Sequence, residues 1–117
     1  MTDIEITLMD DDIYCDLERL IRNWLVDTMK WPYVGLILGH NISSCYFDYS
    51  DIRTTRPILV RDLHVFFIKC GIDNYFTIET ADFPDYKGWI TIKDQYKGKE
   101  EELRTIIQMK TGLKRHE

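Results

Sequence analysis

The chain has 117 residues, a length that suits one domain and is too short for two ordinary ones. Hydrophobic residues make up 44% and charged residues 30%, which excludes wholesale disorder, and no apolar run nears the roughly 18 residues that a membrane-spanning helix needs. The net charge of −5 is unevenly spread: residues 1–51 hold ten acids against three bases, residues 52–117 ten acids against twelve bases, so one acidic and one weakly basic face are expected.

Ile4, Ile6 and Leu8 alternate with Glu5 and Thr7, the period of a half-buried strand over Asp3–Met9. Asp10, Asp11 and Asp12 follow, residues that cap a helix N-terminus and favour its positive end. Ile13, Leu17, Leu20, Ile21, Trp24 and Leu25 then recur at intervals of three and four, which predicts an amphipathic helix to about Lys30, with Pro32 against continuation past Trp31. The run YVGLILG over Tyr33–Gly39 reads as a strand, Gly39-His40-Asn41 as a turn, and Ser43–Tyr49 as a second strand with Cys45, Phe47 and Tyr49 on one face.

Pro57–Cys70 is apolar enough for a buried strand, but its length favours a helix. Thr54 or Thr55 would cap it, Pro57 would sit in its first turn, and Gly71 would take a left-handed C-cap with Ile72 packing back. Tyr75–Thr80 and Trp89–Lys93 alternate around a loop containing Pro84, Asp85 and Gly88, a second hairpin. Glu100–Lys110 places Leu103, Ile106 and Ile107 on one stripe, with three glutamates in the first turn and Gly112 as the stop. The order β-α-β-β-α-β-β-α predicts a single α+β domain over residues 1–117: a mostly antiparallel sheet of four to five strands with helices packed on one face. The α-β-β unit occurs twice, without sequence identity that would mark a repeat.

No pattern in the chain assembles catalytic chemistry. There is no GxSxG elbow, no GxxxxGK[ST] phosphate loop and no GxGxxG after the first strand. His40 with Cys45 and His64 with Cys70 lack zinc-site spacing, and a helix would turn His64 and Cys70 to different faces. A carboxylate nuclease of PD-(D/E)xK type needs a second acid on the strand after Pro84-Asp85, where Thr91-Ile92-Lys93 offers threonine. Asp10–Asp12 lack the loop that makes consecutive acids converge on a cation. The reading is therefore non-enzymatic, with no cofactor and no metal. The three cysteines form no CxxC pair and read as reduced thiols. The acidic, alternating start lacks the basic and apolar blocks of a secretion signal, so a cytoplasmic location is expected.

Two surfaces remain as candidates. The first is acidic: Asp10, Asp11, Asp12, Asp16, Asp48 and Asp51, with Glu18 and Asp27 nearby. Carboxylates sharing a face engage a basic partner and can imitate nucleic-acid phosphates. The second is basic and aromatic: Tyr86, Lys87, Trp89, Lys93, Tyr96, Lys97 and Lys99, where lysines would meet phosphates and rings would stack on bases. Aromatic residues reach 13%, a surplus that suits binding surfaces. The expectation is a small protein-binding inhibitor or adaptor using the acidic face, of the kind mobile elements encode. The alternative is a nucleic-acid-binding module using the basic–aromatic hairpin and the helix after it. A homodimer is a further option, because exposed strand edges pair readily.

Overall fold

The computed structural model describes residues 12–28, 30, 37–48, 59–80 and 87–114. Helix α1 spans Ile13–Asp27, and strands β1 (Ile37–His40) and β2 (Cys45–Asp48) form a hairpin. Helix α2 (Leu59–Cys70) leads through a 3-10 turn at Asp73–Tyr75 into a second hairpin, β3 (Phe76–Thr80) and β4 (Lys87–Ile92). A second 3-10 turn at Asp94–Tyr96 precedes α3 (Glu100–Thr111). The expected strand over Asp3–Met9 and the caps at Thr54, Thr55 and Pro57 lie outside the described residues.

The four strands form one antiparallel sheet in the order β1-β2-β4-β3, so each hairpin contributes one central and one edge strand. The α+β class and the element order follow the sequence pattern. Period-two alternation divides the sheet cleanly. Cys45 and Phe47 of β2, Ile90 and Ile92 of β4 and Phe76 of β3 enter the core. There they meet Ile13, Leu17, Ile21 and Leu25 of α1, Leu63 and Phe67 of α2, and Leu103 and Ile107 of α3.

Local chemistry fixes the ends of these elements. Asp12 is the N-cap of α1, its carboxylate accepting from the Cys15 amide at 2.8 Å. Helix α2 stops as its sequence predicts: Gly71 takes φ +74°, its amide donates to Ile68 O, the Ile72 amide donates to Phe67 O, and Ile72 is fully buried. At the end of β4 the Ile92 amide donates to the Tyr14 hydroxyl at 3.2 Å, which satisfies it beyond the last β2 pairing and ties α1 to the final strand.

The turn chemistry differs from expectation at two places. The first hairpin begins its turn at Asn41, two residues later than the expected start at Gly39. Asn41 Oδ1 accepts the Ser43 and Ser44 amides, and Gly39 and His40 are strand residues. Gly88 belongs to β4 rather than to the loop, opposite Phe47.

Candidate functional site

The outward face of the sheet is built in rows across the strands. Ile37, Asp48 and Lys87 form one row, Gly39, Tyr46, Trp89 and Glu79 the next, and Thr91 and Thr77 a third. Lys93, just past β4, continues the alternation on this side. Tyr46 and Trp89 are direct cross-strand partners on the two central strands. Tyr46 reaches over β1 because Gly39 has no side chain: a Cβ there would stand 2.7 Å from the Tyr46 hydroxyl oxygen. On its other side the Trp89 indole donates to Glu79 Oε2 at 3.2 Å, which fixes the ring plane. Ile37 is 58% exposed and Tyr46 38%. The face is thus apolar and aromatic at its centre with charges of both signs around it: Lys87 and Lys93 against Asp48 and Glu79.

Edge strand β1 is held in place by polar contacts from α1. Glu18 lies 2.5 Å from the His40 ring through Oε1 and 2.5 Å from Arg22 through Oε2, and Arg22 also donates to the Leu38 carbonyl at 3.3 Å. These contacts set the strand that carries Ile37 and Gly39. Sequence reasoning assigned Glu18 to an acidic surface and His40 to a weak metal candidate, and missed their pairing. The available signal was a polar residue at the edge of an apolar helical stripe.

Of the acids expected on one face, the described ones are Asp12, Asp16 and Asp48, and they stand in three different settings. Asp16 is a correction: it is 1% exposed, and Arg104, itself 3% exposed, donates to it through Nε at 2.7 Å and Nη2 at 3.4 Å. Arg19 adds a third contact at 3.0 Å. The reason is positional, because Asp16 falls three residues after Ile13 and four before Leu20, inside the stripe that faces the core. Asp12 is engaged as the helix cap, and Asp48 stands on the sheet face opposite Lys87. Asp10, Asp11 and Asp51 lie outside the described residues.

The basic–aromatic set is also divided. Lys87, Trp89 and Lys93 share the outward sheet side. Tyr96 is a correction to its place in a stacking surface: its ring packs edge-on against Tyr75, centroids 5.0 Å apart, and lies against the core. Lys97 pairs with Asp94 at 3.0 Å, and that hydrogen bond raises its pKa. Lys99 is exposed at the start of α3, and Tyr86 lies outside the described residues.

Burial pushes the thiols of Cys15, Cys45 and Cys70 above their ordinary range, Cys45 furthest at 0% exposure, which favours their neutral form; Cys15 and Cys45 are also closed off from solvent, while Cys70 is partly exposed. Among the described residues no three His, Cys, Asp or Glu side chains converge on a metal position, and no helix is long and apolar enough to cross a membrane. Comparison with protein-family models, curated proteins and solved structures gave no match.

Proposed function

We propose that this chain is a non-enzymatic protein-binding module whose contact surface is the outward face of the sheet, centred on Tyr46 and Trp89. The carrying observation is the row Gly39–Tyr46–Trp89–Glu79. It sets two large aromatic residues as cross-strand partners on the two central strands, one ring lying over Gly39 and the other held by the Glu79 carboxylate, with exposed Ile37 in the neighbouring row. Rigid aromatic anchors on a fixed scaffold, rimmed by charges of both signs, match the anatomy of a protein–protein contact. Such a module acts by occupying a partner, as an inhibitor or an adaptor. The cytoplasm, where thiols stay reduced, suits its free cysteines.

The same rings favour a second reading, base stacking by single-stranded nucleic acid. We favour the protein contact because carboxylates as well as lysines surround the rings. Asp48 and Glu79 flank the rings, and a phosphate chain crossing Tyr46 and Trp89 would pass both carboxylates. The test is affinity capture from the native cell with the wild-type chain and with Tyr46→Ala/Trp89→Ala, each checked for folding by circular dichroism. A stoichiometric protein recovered by the wild type and lost from the folded double variant is the expected result. Recovery of nucleic acid instead, or of a protein indifferent to the two rings, would overturn the proposal.

A further inference from the structure

On the opposite side of the molecule from this face, a groove of about 590 Å³ runs between α1, α2 and the end of α3. Its floor is apolar. Leu20 and Trp24 supply it from α1, one helical turn apart, and Val65 and Phe66 from α2. Trp24 and Phe66 stack with centroids 4.7 Å apart and planes 12° from parallel, which makes the floor flat and stiff. Val65 is 44% exposed, and Ile68, one turn along α2, is 60% exposed.

The walls carry the opposite sign to the protein as a whole. Against a net charge of −5, this groove is lined by Arg61, Lys69 and Lys110, with Asp62 as its one acid. Lys110 donates one bond to the Gly71 carbonyl at 3.0 Å, so two of its three ammonium donors remain for other partners. Arg61 and Lys69 stand eight residues apart on α2, about 12 Å along the axis, which is the reach of two carboxylates two turns apart on another helix.

We propose that this groove docks an acidic, amphipathic peptide segment of a partner protein, with apolar side chains on the Trp24–Phe66 floor and carboxylates reaching Arg61, Lys69 and Lys110. Apolar floor and spaced cations together fit a peptide helix better than a simple anion, which would leave the floor uncovered. The site is separate from the sheet face, and a chain carrying both would bridge two partners.

The probe is a labelled helical peptide with leucines along one stripe flanked by glutamates, together with a twin in which every glutamate is lysine. Binding is read by fluorescence anisotropy at low and at physiological salt. Cys70 lines the groove and, unlike buried Cys15 and Cys45, is partly accessible, so its rate of maleimide modification gives a second readout. The glutamate peptide should bind, weaken as salt rises and slow Cys70 modification, whereas the lysine twin should do none of these. Lys69→Glu/Lys110→Glu should weaken binding at least about tenfold. Val65→Asp, at an exposed position, should do the same and covers the case in which the double variant misfolds. Trp89→Ala should leave peptide binding unchanged, which separates this site from the sheet face. Failure of the glutamate peptide to bind, equal binding of its twin, or indifference to the groove variants would overturn the proposal. So would self-association of the protein through this groove, since a second copy would then be its occupant.

Discussion

Helix α1 and the outward face of the sheet use their polar side chains in opposite ways. Three acids in the first half of α1 and its cap serve the fold: Asp12 caps the helix, Asp16 holds Arg104 in the core, and Glu18 ties the edge strand to the helix through His40 and holds Arg22. On the sheet, Tyr46 and Ile37 project to solvent from strands whose inward residues fill the core. Charge counted along a chain is therefore a poor guide to charge on a surface. An acid within the apolar stripe of an amphipathic helix is a structural group, and the side chains open to a partner are those that the fold projects to solvent.

The sharpest way to break this contrast is to remove a structural acid. Asp16→Ala would leave the Arg104 guanidinium buried without its main partner and should cost about 3–5 kcal/mol in denaturant unfolding. Replacing both, as Asp16→Leu/Arg104→Met, should recover much of that loss, because a packed apolar pair needs no compensation. A single variant within error of wild type would mean that α1's acids are surface groups after all.

A smaller effect is expected at Tyr14. Tyr14→Phe orphans the Ile92 amide and should cost about 1–2 kcal/mol near neutral pH. Burial holds the Tyr14 pKa above its ordinary 10.0, so the unfolded chain ionises first. The resulting stability is complete below pH 10.0 and is lost as pH climbs through the higher folded value. A pH series of urea melts should therefore show a shallower alkaline decline in Tyr14→Phe than in wild type. The smallest effect belongs to Lys97→Ala. Its pairing with Asp94 is solvent-exposed, and no measurable change in Tm is expected.

Much of the fold was legible in the sequence. The three-and-four spacing of Ile13 through Leu25 marked α1, and Gly71-Ile72 marked both the class and the end of the segment before it. Alternation assigned Ile90 and Ile92 to one face and Trp89 and Thr91 to the other. What escaped was pairing over long distance. Nothing local tells Asp16 that its partner is Arg104, 88 residues away, although an arginine beside Leu103 on an apolar stripe hinted at burial. Strand order likewise depends on which hairpin strands meet. Only the β2–β4 junction brings Tyr46 beside Trp89, residues that sequence reasoning had no ground to connect.

Hydroxyl-radical footprinting of the chain, alone and with a protein recovered by affinity capture, tests the central claim most directly, since tyrosine and tryptophan oxidise readily and report their own exposure. Binding should protect Tyr46 and Trp89 while Val26, 48% exposed on α1, keeps its free rate. Protection of α1 with both rings still oxidised would show that the contact lies elsewhere.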